Sequence, residues 1–359
     1  MWSFQLVRAL SQCQNGGGQI AECLQAAERI VLGDYESWHH EWMRLGNRAL
    51  EQAEKAMAES HFETARAAYK RAANYIRSAE FFLQAHDPRK LETYLKGIEA
   101  FRKGVAMDEN PPEVVQIPYE HSYMPAYFYK VEGVSKQPTV IMFGGLDSTA
   151  EETYFSIVPY LRERGLAVLT VDGPGQGGAL RLNHLVSRPD YEVAGTAALE
   201  WALKRDDIDP DRIAIMAWSM GGYMAARMAA FEPRFKACAI LGAVYNYSAV
   251  WDRRPDNHPL ASILQHVLGV SSMPEAREKL KQFTLEGVLH RIKCPTFIIH
   301  GEEDRQVLVE HAYRVYEELT CEKRLEIVKA ETTGAAHCQA DNKAMAFPLF
   351  DWLKDKLLS

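Results

Sequence analysis

Ile213-Ala214-Ile215-Met216-Ala217-Trp218-Ser219-Met220-Gly221-Gly222 is an apolar run that breaks on a serine and passes directly into Tyr223-Met224-Ala225-Ala226-Arg227, which has helical composition. The pattern predicts a buried strand, a sharp turn with Ser219 at its tip, and a helix. Such a turn strains the serine and is tolerated only when the residues two before and two after it are small, because larger side chains collide across it. Ala217 and Gly221 meet this condition, although glycine is more usual at the first position, and Gly222 lets the helix approach the sheet closely. Ser219 then sits at a helix N-terminus, with the Met220 N–H where an oxyanion would form. A lone S-x-G means little, so the reading depends on what surrounds it.

Downstream, Cys294-Pro295-Thr296-Phe297-Ile298-Ile299-His300-Gly301-Glu302-Glu303-Asp304 reads as a buried strand that ends in a carboxylate loop. Asp304, three residues past Gly301, is the expected acid, and Glu302 and Glu303 are expected to be solvated loop charges. Of the twelve histidines, only His337 lies in a loop after the last strand, in Glu331-Thr332-Thr333-Gly334-Ala335-Ala336-His337-Cys338. The order Ser, Asp, His suits a triad in which His337 takes the Ser219 proton while Asp304 stabilises the imidazolium and fixes its tautomer. Cys338 is read as packing. Upstream, the glycines of Phe143-Gly144-Gly145-Leu146-Asp147 let backbone approach the serine, so Gly145 or Leu146 is the expected second oxyanion donor. Asp172-Gly173-Pro174-Gly175-Gln176-Gly177-Gly178 has neither the Lys-Ser/Thr ending of a phosphate loop nor dinucleotide spacing, and reads as a structural turn near the site.

Around this centre the chain divides at Pro111-Pro112. Residues 1–111 are rich in Ala, Glu, Gln, Arg and Leu and predict four helices near 19–32, 35–58, 61–85 and 87–106, the last opened by Asp87-Pro88. In 112–359, apolar segments at 114–118, 126–131, 139–143, 167–171, 212–217, 237–241, 296–300 and 325–329 alternate mostly with helical patterns. Parallel strands need crossover helices, so the expected fold is α/β, a doubly wound, mostly parallel sheet of about eight strands. A stretch at 251–287 interrupts the alternation with room for two or three helices.

The bulk properties narrow the function. A hydrophobic fraction of 47% with 25% charged residues is ordinary for a soluble globular protein. The net charge of −7, without a basic run, argues against nucleic acid and anionic membrane as partners. Six scattered cysteines with no CxxC pair read as reduced thiols, and no apolar run of about 18 residues or cleavage-site pattern appears. Cytoplasmic location is the resulting expectation. His39-His40-Glu41 is not expected to hold metal, since adjacent histidines point to different helix faces, and no cofactor is expected. Tyr35, Trp38 and Trp42, at helical spacing, are read as core or interface residues that could also roof a pocket, and Trp218 beside the serine is a further candidate substrate contact.

The run Ala67-Ala68-Tyr69-Lys70-Arg71-Ala72-Ala73-Asn74-Tyr75-Ile76-Arg77-Ser78-Ala79-Glu80-Phe81-Phe82, together with Gly144-Gly145-Leu146-Asp147-Ser148-Thr149 and Asp172-Gly173-Pro174-Gly175-Gln176-Gly177, resembles the α/β-hydrolases that carry an N-terminal helical domain. That group includes 2,6-dihydroxypseudooxynicotine hydrolase, the polyketide-shortening hydrolases of pigment pathways and the fermentation-respiration switch proteins. The resemblance implies a helical lid or dimerisation domain, a homodimer, and hydrolysis of a carbon-carbon bond beside a ketone in a 1,3-dicarbonyl or polyketide. An ester, thioester or lactone hydrolase, or an acyltransferase or cyclase, would use the same acyl-serine. A non-catalytic, TPR-like binding protein is disfavoured because no clear 34-residue repeat occurs. Some carbon-carbon hydrolases of the group use an extra acid after the sixth strand. Here that stretch is Trp251-Asp252-Arg253-Arg254, so Trp251, Asp252 and Arg254 join the candidate substrate contacts, with Asp252 as a candidate substitute and the arginines pointing to an acidic or carrier-linked substrate.

Overall fold

The protein is described by a computed structural model covering residues 2–359. It divides into two compact units, one comprising residues up to Pro112 together with Tyr154–Ser156, the other Glu113–Thr153 and Ile157–Ser359.

The first unit is helical: α1 (Trp2–Gln12), α2 (Ile20–Arg29), α3 (Tyr35–Ala58), α4 (Phe62–Glu80) and α5 (Pro88–Val105). The helix at Trp2–Gln12 is additional to the four expected. Asp34 caps α3, and Asp87 caps α5 ahead of Pro88 at its first position. The apolar stripe of α4, including Ala65, Ala68, Tyr69, Ala72 and Ile76, is buried. Glu80, fully buried, is neutralised by Lys90 at 2.7 Å and by Arg77, as a charge without solvent must be. The late segment joins through Phe101, whose ring meets Tyr154 and Phe155 edge-on at 5.6 and 6.0 Å, and through Lys70 Nζ, which donates to the Tyr154 hydroxyl at 2.8 Å. Sequence periodicity cannot reveal an attachment between positions so far apart.

The second unit holds one eight-stranded sheet: β1 (Glu113–Tyr119), β2 (Ser122–Tyr129), β3 (Gln137–Phe143), β4 (Ala167–Val171), β5 (Ile208–Trp218), β6 (Ala237–Leu241), β7 (Thr296–Gly301) and β8 (Lys323–Val328). Their spatial order is β1-β2-β4-β3-β5-β6-β7-β8. β1 and β2 pair antiparallel, as do β2 and β4, and the remaining pairs are parallel. β3, β4, β6 and β7 are buried throughout, which is why they read as continuous apolar runs rather than alternating ones. Among the intervening helices are α6 (Ala150–Ser156), α7 (Val158–Arg162), α8 (Gly177–Arg181), α9 (Glu192–Leu203) and α10 (Met220–Phe231). The interruption before β7 contains three helices, α11 (Tyr247–Asp252), α12 (Ala261–Leu268) and α13 (Met273–Leu280); α14 (Glu310–Glu318) and α15 (Phe347–Leu358) follow. Among the described residues no helix is long and apolar enough to cross a membrane.

Candidate active site

Ser219 lies between the end of β5 and the first residue of α10 with φ 59° and ψ −126°. A positive φ on a non-glycine residue costs about 1–3 kcal/mol and persists only where the surroundings enforce it. Gly221 is part of that enforcement, since a Cβ there would stand 2.4 Å from the Gly144 carbonyl oxygen and 2.8 Å from Ala217 Cβ. Ala217 therefore fits the turn in place of glycine because its partner across the turn has no side chain.

The structure brings Ser219, His337 and Asp304 into one hydrogen-bonded chain. Ser219 Oγ is 2.7 Å from His337 Nε2, and His337 Nδ1 is 2.5 Å from Asp304 Oδ2. The other Asp304 oxygen accepts the Gln306 and Val307 N–H groups at 2.8 and 2.9 Å. Burial disfavours the His337 imidazolium, but Asp304, with Cys338 beside it, outweighs burial and pushes the imidazole up to about 10. Burial likewise opposes the Asp304 carboxylate, and His337 nevertheless holds its carboxyl below the usual value. The pair is therefore arranged to favour the ions that proton transfer from Ser219 would create.

His300, quoted above only as part of a motif, is a supporting residue that the sequence did not single out. Fully buried, it receives the Ala243 N–H on Nδ1 at 3.1 Å, places Nε2 3.0 Å from the Val307 carbonyl, and lies 3.5 Å from Asp304 Oδ2. It thereby ties the end of β6 to the loop that carries the acid. Glu302 pairs with Lys329 at 3.0 Å and Glu303 is exposed, as loop charges. Cys338 is buried, its thiol 3.3 Å from the Leu241 carbonyl, and all six cysteines are free.

The two candidate second donors separate clearly. Gly145 N–H donates to Ser148 Oγ at 2.9 Å, whereas Leu146 N–H, like Met220 N–H, makes no hydrogen bond among the described residues. Gly145 has a steric role instead: a Cβ there would stand 2.9 Å from Ser219 Cβ. Expecting it as a donor overlooked that Ser148, three residues on, could turn back onto it. The Asp172–Gly178 turn supports this loop. Gln176 Nε2 donates to the Gly144 and Gly145 carbonyls at 2.8 and 3.1 Å, and Asp172 accepts the N–H groups of Ala150 and Gly178 at 2.7 and 2.8 Å.

The candidate substrate contacts divide. Trp218 flanks the serine and donates through Nε1 to Ser148 Oγ at 3.2 Å. Trp251 is fully buried, and Arg254 is half-buried with its guanidinium over the Trp251 ring. Asp252 instead is exposed, 3.8 Å from Arg277, and its position does not match an added acid in the site. It sits at the last turn of α11, where its side chain turns to solvent. Trp38 belongs to the helical unit's own core, with Nε1 donating to the Ser78 carbonyl at 2.8 Å and its ring edge-on to Phe82; Tyr35 stacks on Phe82 at 5.3 Å. Neither aromatic is placed as a substrate contact, because the helical stripe that carries them packs on α4. Among the described residues no group of His, Cys, Asp and Glu is arranged to hold a metal ion.

A parallel sheet with an antiparallel edge, and a strained serine at the tip of its strand-helix turn, define an α/β-hydrolase. Residues 152–357 match the model of the prolyl oligopeptidase family, Peptidase_S9, and the chain belongs to that family and is a hydrolase. It is 32% identical to Hydrolase LUC6 of Fusarium sp over 99% of this chain and 96% of that protein. It is also 32% identical to 20-hydroxy-prefusarin hydrolase FUS2 of Gibberella moniliformis, over 98% and 95% of the two chains. Among solved structures, 2,6-dihydroxy-pseudo-oxynicotine hydrolase superposes with a TM-score of 0.84 at 28% identity, covering 97% of this chain and 96% of that one.

Proposed function

We propose that the protein is a serine hydrolase that cleaves a carbon-carbon bond next to a ketone in a 1,3-dicarbonyl or polyketide substrate. The observation that carries this reading is the Ser219-His337-Asp304 chain, set in a fold that follows 2,6-dihydroxy-pseudo-oxynicotine hydrolase over nearly its whole length. His337 Nε2 takes the Ser219 proton as Oγ adds to the ketone carbon. The Met220 and Leu146 N–H groups hold the resulting alkoxide, and the buried Asp304 carboxylate offsets the charge on the imidazolium. Collapse of the adduct breaks the bond to the α-carbon. The electron pair leaves as the enolate of the second carbonyl, which is then protonated from His337. Water, deprotonated by His337, hydrolyses the acyl-serine to release a carboxylic acid and regenerate Ser219.

A panel of 1,3-diketones and activated esters tests the assignment. The expected result is stoichiometric acid and ketone from the diketones, at rates well above esterase turnover. Turnover of esters alone would replace it with an ester or thioester hydrolase.

A further inference from the structure

Near the candidate acid stands a guanidinium that makes no ion pair among the described residues. Arg254 lies with Cζ 4.6 Å over the Trp251 ring, and its Nη2 donates to the backbone and side-chain oxygens of Gln306 at 2.9 and 3.2 Å. Gln306 is one of the two residues whose N–H groups hold Asp304 Oδ1. Arg254 is thus fixed in orientation, half-buried, and one residue removed from the hydrogen-bonded chain that ends at Ser219.

The local acids are all otherwise engaged. Asp252 and Asp256 face outward to Arg277 at 3.8 and 2.7 Å, and Arg277 also clamps the segment by donating to the Trp251 and Arg254 carbonyls, each at 2.7 Å. Asp304 is committed to His337, Gln306 and Val307. Among the described residues Arg254 makes no ion pair. Burial weakens its hold on the proton more than the pull of Tyr247 and Asp304 restores it, yet an arginine stays charged at any working pH. A net charge of −7 over the whole chain makes an unpaired, partly buried cation the more unusual.

The neighbouring histidine adds no second charge. His258, edge-on to Trp251 at 5.8 Å, is held down to about 4 by burial and by Arg254, so it stays neutral. The planar guanidinium, whose Nε and Nη1 make no hydrogen bond among the described residues, presents a fork that suits a planar carboxylate.

We propose that Arg254 is a specificity residue that binds a carboxylate carried by the substrate away from the bond that Ser219 attacks. This rests on Ser219 as nucleophile but not on which bond is broken. The test therefore uses p-nitrophenyl monoesters of dicarboxylic acids of increasing chain length, each against its methyl-capped diester. Any acyl-serine enzyme can cleave these, whatever the outcome with 1,3-diketones. At the best chain length the free acid is expected to exceed the capped ester at least tenfold in kcat/KM, chiefly through KM. R254Q should lower the acid at least tenfold more than the capped ester, R254K should restore part of the difference, and the exposed neighbour variant R253Q should leave the ratio unchanged. The proposal is overturned if the enzyme shows no acid preference at any length. It is equally overturned if R254Q lowers acid and capped ester alike, which would make Arg254 only a brace for Gln306, or if no ester is turned over at all.

Discussion

Replacing Asp304 by asparagine keeps the shape of the site and removes one charge. Against the effect of burial, the carboxylate oxygen at 2.5 Å from His337 Nδ1, with Cys338 beside it, moves the imidazole from 6.5 to about 10. At ~1.4 kcal/mol per tenfold change, that is a ceiling of about 5 kcal/mol favouring the imidazolium formed as Ser219 attacks. The carboxamide of D304N has no such charge, and it can also present an N–H to Nδ1, which selects the wrong tautomer. The expected loss in kcat/KM is about 10³- to 10⁴-fold, read with an activated ester on the high-pH plateau where His337 is neutral in both proteins. The pH profile supplies a second readout. Activity needs neutral His337, so the parent's acid limb lies above 6.5, while D304N removes the carboxylate's share of that rise, leaves burial in place, and moves the limb to lower pH. A variant within tenfold of the parent on the plateau, with an unmoved acid limb, would refute the reasoning.

Three further outcomes follow from the same geometry. G221V drives a side chain against the Gly144 carbonyl and Ala217, and should cost at least about 2 kcal/mol, lowering Tm by about 3 °C or more in calorimetry; an unchanged Tm contradicts the packing argument. Q176A removes the side-chain amide's hold on the Gly144 and Gly145 carbonyls, so kcat should fall about tenfold with KM little changed, and a change confined to KM would count against a role in shaping the oxyanion loop. Stability should fall on both sides of neutrality. His258 and His311, held at about 4, and buried His300 protonate more readily unfolded, so stability is lost as pH drops from 6.5 through 4; raised His337 contributes stability below 6.5 that disappears as pH climbs to about 10. A Tm that is flat from pH 4 to 6.5 would contradict the first half.

What could be read from the sequence was whatever the fold fixes at strand ends. Ser219 and Asp304 each follow an apolar strand at a short interval, His337 lies in the loop after the last strand, and a parallel sheet brings such ends together, so their meeting was legible without coordinates. Side-chain direction was not. Asp252 and Arg254 are two residues apart, yet one turns to solvent and the other lies over the Trp251 ring, because Arg277 clamps the intervening backbone. Trp38 looked available for a pocket, but a helical stripe does not disclose whether its partner is substrate or another helix. His300 was hidden inside its own motif, and Ser148's claim on the Gly145 N–H depends on a loop turning back through three residues, a geometry that no spacing specifies.

The most direct test of the central claim is to quench the enzyme during turnover of a 1,3-diketone in H2(18)O, locate any acyl group by peptide mass mapping, and analyse the products. The account predicts an acyl adduct on Ser219 that is absent in S219A, together with one (18)O in the carboxylic acid and cleavage abolished in S219A. Cleavage that persists in S219A, or acid formed without an acyl group passing through Ser219, would contradict it.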